Sequence, residues 1–452
     1  MTRRLGCALL LVLCGAGATP ARRAPFDPVG TWQGTAWLSG APLELSVRFF
    51  RVSGELRATL SSHDLMLLEQ PLDSVWCRER RVRFSTADEH PLRFSGAWDG
   101  DSLRGTAVVP VVPGVTAPAQ AGPQLSWALG HDPAPARVPY ATREVHLTSG
   151  AARLAGTMYV PESASVARAG IVLLQGSSSN RRAEARFQAD LFARSGLQVL
   201  VFDKRGNGES TGDYTTATYD SLAADGAAAV RFLSVQPGVD ARHIGLWGLS
   251  QGAFLAPLVA ARVPGLAFIV AVSAPGMPIG AAAAYQDSMR LRSAGFDAAD
   301  VRRAVSLDRR LFHWLRTGAD RAELAALLEE AASTRWRRAS SLPARLPAER
   351  VLDSWYWRGR TLDPLPGWQA VRPPVLLLYG AADDLVPAPA SARAIERALR
   401  RGGNHDVTLN VYPAANHVLR TLPQQTGGKW DWPRAAPGHL ELLTRWVREH
   451  AR

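Results

Sequence analysis

The segment with the clearest capacity for chemistry is Gly248-Leu249-Ser250-Gln251-Gly252. It follows an apolar run, His243-Ile244-Gly245-Leu246-Trp247, and opens an Ala- and Leu-rich stretch over 253–261. A serine with glycine two residues away on each side, between a strand and a helix, reads as a nucleophile elbow. Such a turn holds the serine in a strained backbone conformation, and side chains at the flanking positions would collide with the strand and the helix. The N-terminus of the following helix faces the serine and favours the negative charge that builds up during acyl transfer. The same pattern also occurs by chance in loops, so the reading needs an acid and a histidine to activate the hydroxyl.

Both follow. Pro374-Val375-Leu376-Leu377-Leu378-Tyr379-Gly380 is an apolar run ended by glycine, which predicts a buried strand. Asp383 comes three residues after Gly380 and just ahead of Val386-Pro387, placing a carboxylate at the C-terminal edge of a sheet. The adjacent Asp384 is the alternative acid, and a turn or helix-capping role is the structural alternative for Asp383. The next segment, Val407-Thr408-Leu409-Asn410-Val411-Tyr412, alternates as a strand should. His417 closes the loop that follows it, 417 − 383 = 34 residues beyond Asp383, which leaves room for one helix and one strand. The chemistry needs all three residue types. A serine hydroxyl is a weak nucleophile at neutral pH, so an imidazole takes its proton and returns it to the leaving group. The carboxylate fixes the imidazole tautomer and stabilises the imidazolium. The order Ser250, Asp383, His417 is that of α/β-hydrolases, not of chymotrypsin-like or subtilisin-like enzymes.

On these three motifs the chain resembles the α/β-hydrolase superfamily, from about Arg143 to the C-terminus. Within it the chain is similar to bacterial exported two-domain hydrolases related to esterases and to the prolyl-oligopeptidase and serine-aminopeptidase branches. The resemblance implies an α/β fold: a doubly wound, mostly parallel sheet with a helical cap insertion, preceded by a small antiparallel β domain. It also implies an oxyanion hole made by the amide of Gln251 and the amide of Ser177, in the loop Gln175-Gly176-Ser177-Ser178-Ser179 after the strand at 169–174. Many relatives carry histidine where Gln175 stands, a change that a backbone donor tolerates. The turn Asp203-Lys204-Arg205-Gly206-Asn207-Gly208 takes a structural role near the active-site mouth. Its glycines are spaced G-x-G-x-x-x-G, which is not the dinucleotide-binding spacing. The cap is expected over 277–370, where 321–330 has a helical pattern. There Trp355-Tyr356-Trp357 either lines an acyl pocket, as substrate-binding residues, or packs the cap.

Residues 25–130 form a different module. Leu43, Leu45, Val47 and Phe49 alternate with Glu44, Ser46 and Arg48, and Trp98-Asp99-Gly100-Asp101-Ser102-Leu103 reads as a hairpin turn. Short strands with tight turns predict a small antiparallel barrel or sandwich. The Pro- and Ala-rich stretch 110–139 reads mostly as linker with one strand at 124–129, and 131–142 is taken as the join to a catalytic domain over 143–452.

The chain of 452 residues is 46% hydrophobic, enough for a large core and a smaller one. Its formal charge is +12, but only Lys204 and Lys429 are lysines, and the arginines are scattered along helices beside acids rather than gathered into a nucleic-acid-binding module. The N-terminus reads as an export signal over 1–18: a basic start at Arg3-Arg4, an apolar core at 5–13, and Ala16-Gly17-Ala18 as cleavage site. This predicts a periplasmic or secreted protein. The apolar core is too short to span a bilayer, and Leu13 departs from the small residue that lipid attachment at Cys14 prefers. Loss of Cys7 and Cys14 with the signal would leave Cys77 as the sole thiol.

The sequence thus predicts a serine hydrolase cleaving carboxylic esters through an acyl-enzyme intermediate. A peptidase of the aminopeptidase or dipeptidyl-peptidase type is the alternative. It would need a carboxylate pair to hold a substrate ammonium, and the adjacent pair in the cap, Glu329-Glu330, does not share a helix face. A non-catalytic binding protein on the same fold is the third reading. No cofactor is expected, and no histidine stands at a metal-ligand spacing. The expected partner is a small-molecule ester or peptide, with no nucleic acid and no stable membrane insertion. The oligomeric state is left open.

Overall fold

The structure is a computed structural model that describes residues 27–87, 91–108, 124–134, 137–162, 169–177, 180–421, 425–426, 429–430 and 432–451. The leader expected over 1–18, with Cys7 and Cys14, lies outside the described residues.

The period-two alternation of the N-terminal module becomes eight antiparallel strands: β1 (Gly30–Leu38), β2 (Ala41–Val52), β3 (Glu55–Ser62), β4 (Leu67–Arg78), β5 (Arg81–Thr86), β6 (Arg93–Asp99), β7 (Ser102–Val108) and β8 (Gln124–Asp132). Each pairs with the next, and β8 returns to β1 with Leu129 opposite Gly34, so the sheet closes into a barrel with no free edge. Leu43, Leu45, Val47 and Phe49 of β2 point inward, while Glu44 and Arg48 face solvent. Phe84 stacks on Phe94 at 4.7 Å between ring centroids, and Trp127 of β8 tilts against Phe84 at 5.8 Å. The interior is therefore filled by side chains. The strand expected at 124–129 is longer, and it completes the barrel.

From Tyr140 the pattern changes. Two antiparallel strands, β9 (Tyr140–Ser149) and β10 (Ala152–Pro161), lead into a sheet whose remaining strands are parallel to one another. These are β11 (Gly170–Leu174), β12 (Gln198–Phe202), β13 (Ile244–Leu249), β14 (Ile269–Val272), β15 (Val375–Gly380) and β16 (Val407–Tyr412). The order across the sheet is β16-β15-β14-β13-β11-β12-β10-β9. The central strands are buried along their whole length, as their unbroken Val, Ile and Leu runs require when helices cover both faces.

Helices α1 (Arg186–Arg194) and α11 (His439–His450) close one face with Phe192, Leu443, Trp446 and Val447. Helices α2 (Tyr219–Ser234), α3 (Gln251–Ala260), α9 (Leu365–Ala370) and α10 (Ala388–Arg401) close the other, around Phe254, Trp368 and Ile395. Burying each such large apolar side chain contributes about 1.5–3 kcal/mol. The segment between β14 and β15 carries α4 (Ile279–Ser293), α5 (Ala298–Thr317), α6 (Arg321–Ala331), α7 (Arg335–Ala339) and α8 (Glu349–Leu352), with a core of their own around Leu291, Leu311, Trp314 and Leu328. Among the described residues no helix is long and apolar enough to cross a membrane.

The barrel is docked on this second unit. Arg434, in the approach to α11, pairs with Asp64 and donates to the carbonyl of Pro42 at 2.7 Å. Trp432 Nε1 donates to the carbonyl of Ala41 at 2.9 Å, and Arg186 of α1 reaches the carbonyl of Glu69 at 3.2 Å. Cys77 is a free, half-buried thiol on β4, and burial raises its pKa above the usual thiol range.

Candidate functional site

Ser250 stands where β13 turns into α3. Its backbone lies at φ 54°, ψ −112°, a conformation that costs a non-glycine residue about 1–3 kcal/mol and persists because the surroundings impose it. The surroundings are tight. A Cβ on Gly252 would overlap the carbonyl of Leu174 at the end of β11, so the first turn of α3 packs against that strand only because residue 252 is glycine. Gln251 is the first residue of α3, and its amide lies outside the helix ladder, aimed as a first-turn N–H.

The acid and the histidine are brought together by another glycine. A Cβ on Gly380 would overlap the carbonyls of Ala415 and Asn416, so the turn after β15 presses directly on the loop after β16. Backbone bonds from Ala381 to Tyr412 and from Ala382 to Ala415, both 2.9 Å, hold the two loops together. The result is a hydrogen bond between Asp383 Oδ2 and His417 Nδ1 at 2.8 Å. Asp383 is 1% exposed, and its other oxygen accepts the amides of Leu385 and Val386, each at 2.8 Å. The carboxylate is thus saturated with donors on one side and aimed at the imidazole on the other. Asp384, the alternative acid, is exposed.

The serine and histidine loops meet through β14. Ser250 N donates to the carbonyl of Val272 at 2.9 Å, and the next residue, Ser273, donates its hydroxyl to the carbonyl of His417 at 2.8 Å. Ser250 Oγ makes no hydrogen bond to the His417 ring. Contacts of this kind often close only when substrate is bound.

Beside the candidate oxyanion donors stand Lys204, which the sequence placed only in a structural turn near the active-site mouth, and Tyr214, which no motif singled out. Lys204, 5% exposed, donates from Nζ to the carbonyl of Gly176 and to Gln251 Oε1, the latter at 2.9 Å. Tyr214 OH donates to the same Oε1 at 2.9 Å. One buried amine therefore joins the loop before Ser177 to the side chain of Gln251. Burial pushes its pKa down to about 7, partly opposed by the charge of Glu184. The available signal was composition: in an arginine-rich chain, one of only two lysines stands two residues after a buried strand. Ser177 itself is exposed, with its carbonyl 3.4 Å from Tyr214 OH. Ser178 and Ser179 lie outside the described residues. The neighbouring turn is held by Asp203, which accepts the amides of Arg182 and Glu209 at 2.7 and 3.0 Å, and by a pair between Arg205 and Asp225 at 2.6 Å.

The aromatic triplet divides. Trp355 packs on Tyr214 at 5.0 Å and on Tyr219 at 6.4 Å, and its Nε1 donates to the carbonyl of Tyr214 at 3.0 Å. It thus stands behind the Gln251 network. Tyr356 is 40% exposed, and Trp357 packs on the cap core. Among the described residues no group of three or more His, Cys, Asp or Glu side chains is placed to hold a metal ion.

A strained serine at a helix N-terminus, an imidazole locked to a buried carboxylate and two candidate backbone donors is an arrangement capable of acyl transfer. Residues 149–410 match the family model of X-Pro dipeptidyl-peptidase (S15 family). A thiohydrolase of Aspergillus aculeatus is 34% identical over 105 residues, covering 23% of this chain and 32% of its own length. An uncharacterized Mycobacterium tuberculosis protein is 32% identical over 115 residues, covering 25% and 40%. The chain thus spans between a third and two fifths of the length of these curated relatives. Among solved structures, a Pyrococcus furiosus esterase aligns at 19% identity with a TM-score of 0.44, covering 69% of this chain and 91% of its own. Acetyl xylan esterase 1 from a Thermoanaerobacterium species aligns at 15% identity with a TM-score of 0.40, covering 79% and 87%.

Proposed function

The chain belongs to the X-Pro dipeptidyl-peptidase (S15) family of serine hydrolases, and we propose that it cleaves carboxylic esters through an acyl-enzyme formed on Ser250. His417 takes the serine proton as Oγ attacks the ester carbonyl, and gives it to the departing alkoxide. Water then enters, His417 activates it, and the acid product leaves with Ser250 regenerated. Asp383 keeps the Nδ1 proton of His417 in place and stabilises the imidazolium. The amides of Gln251 and Ser177 receive the oxyanion. The observation that carries this reading is the 2.8 Å bond between His417 and an Asp383 whose second oxygen is fixed by two backbone amides.

The family match favours a second reading, a peptidase that takes the amino-terminal end of a peptide. Such a site needs carboxylates for the substrate ammonium. Glu329 and Glu330 are exposed on α6, and the cap's buried acids, Asp287 and Asp308, are enclosed with Arg360. This supports the ester reading.

Turnover of 4-nitrophenyl esters and of aminoacyl-prolyl 4-nitroanilides by the wild type and by Ser250→Ala tests both. The expected result is ester turnover that exceeds anilide turnover and falls about 10⁴-fold or more on substitution. Equal ester rates in the two proteins would end the proposal. Anilide turnover far above ester turnover would select the peptidase.

A further inference from the structure

The loop that presents His417 also carries Val418 and Arg420, which border a cavity of about 300 Å³ that the roles assigned so far leave unused. Its wall includes Leu249, the residue before Ser250, Gly176, the residue before Ser177, and Val418, the residue after His417. The opposite wall comes from the barrel, where Met66, Leu67 and Gln70 reach over from the β3–β4 turn and the start of β4. The chamber therefore adjoins the serine, Ser177 and histidine loops, though not the Asp383 loop, and is completed by the N-terminal domain.

Its chemistry is mixed. Leu191, Val272 and Leu443 give an apolar surface. Among the other wall residues, Gln175, Trp247, Arg420 and His439 each carry a buried nitrogen with no hydrogen-bond partner among the described residues. Burying polar groups without partners is costly, most of all for a cation. The contrast among arginines is sharp: Arg182 and Arg205 are paired with the buried carboxylates of Asp203 and Asp225, whereas Arg420 has no such partner. Burial lowers its pKa, and no neighbouring acid restores it. Among the described residues the one carboxylate in the wall, Glu184, instead accepts the amide of Arg181 at 3.4 Å. His439 is held neutral, its pKa pushed down to about 4 by burial. Nor is Arg420 on a loose segment: its amide donates to Asn416 Oδ1 at 3.0 Å and its carbonyl accepts from Asn416 N at 2.8 Å.

We propose that this chamber is the substrate-selecting subsite, and that it takes an ester bearing a second, free carboxylate, with Arg420 as the counter-ion and Met66 and Leu67 of the barrel as outer wall. The proposal rests on the Ser250 hydrolase reading. It also gives the barrel a part in specificity.

Two substrate pairs test it, one for each end of the ester. The mono-4-nitrophenyl ester of adipic acid against 4-nitrophenyl hexanoate places the carboxylate on the acyl side. The butyrate ester of 4-hydroxybenzoate against phenyl butyrate places it on the leaving group. In one of the pairs the charged-to-neutral ratio of kcat/KM should fall at least tenfold from the wild type to Arg420→Met, chiefly through KM, with Arg420→Lys recovering part of it. Far-UV circular dichroism confirms that each variant is folded. If Arg420→Met does not fold, Arg420→Gln is read on the same ratio. Neutral-ester turnover by the wild type, with charged-to-neutral ratios that no folded Arg420 variant changes, overturns the chamber and leaves the hydrolase intact. Absence of turnover of all four esters above the Ser250→Ala level sinks the hydrolase reading itself.

Discussion

At the scale of single residues, the site is a set of side chains whose freedom has been removed. Ser250 is held at positive φ, Asp383 is saturated by amides, and Lys204 ties Gly176 to Gln251. Lys204 touches neither nucleophile nor base, so it is a positioning residue. Lys204→Met should lower kcat by about tenfold with little change in KM, a smaller loss than the 10²–10³-fold typical of a deleted oxyanion donor. Stability should fall by about 1–3 kcal/mol as the Gly176 carbonyl loses its side-chain donor and Gln251 Oε1 keeps only Tyr214. The pH dependence has a definite sign. The unfolded lysine takes up its proton near pH 10.5, while the native one waits until about 7. The wild type therefore loses stability as pH falls from about 10.5 to 7 and no further below that. The deficit of the variant should be larger at pH 9.5 than at pH 6.5 in urea titrations. A deficit that grows toward acid would refute the assignment. The placing of Ser250, Asp383 and His417 just beyond buried strands was legible, because each follows an apolar run with turn chemistry beside it. Lys204 was not, because its role depends on two loops that only the folded sheet brings together.

At the scale of elements, the cap is fastened to the acid loop. Tyr285 and Gln286 of α4 donate to the carbonyls of Asp383 and Leu385 at 2.6 and 2.9 Å. The next residue of α4, Asp287, meets Asp308 of α5 and Arg360 inside the cap. Burial, then the neighbouring charge of Asp287, raises the pKa of Asp308 to about 8. The unfolded acid ionises near 3.8 and the native one holds its proton to about 8, so the wild type loses stability as pH rises through that window. Asp308→Asn mimics the protonated form. It should raise Tm at pH 8 and give no gain near pH 4, measured by differential scanning calorimetry. A pH-independent shift would contradict the buried-acid account. The helices themselves could be read from the 3.6-residue pattern, as over 321–330. The acid pair could not, since residues 287 and 308 lie on different helices and the sequence drew attention to Glu329-Glu330, which the structure leaves in solvent.

At the scale of the whole molecule, two units with different sequence periods share one boundary. Alternation announced the antiparallel domain, and buried runs announced the parallel sheet. Barrel closure was beyond reach because it depends on β8 finding β1 about 100 residues away, a pairing with no local signal. The contribution of Met66 and Leu67 to the edge of the site was hidden for the same reason. Reaction with a fluorophosphonate probe, followed by peptide mapping, tests the central claim most directly, because it needs serine, histidine, acid and oxyanion donors assembled at once. The account predicts a single adduct on Ser250 of the native protein, lost on urea unfolding and slowed by at least 10³-fold in His417→Gln. A folded wild-type protein that takes no label, or takes it on another residue, would contradict it.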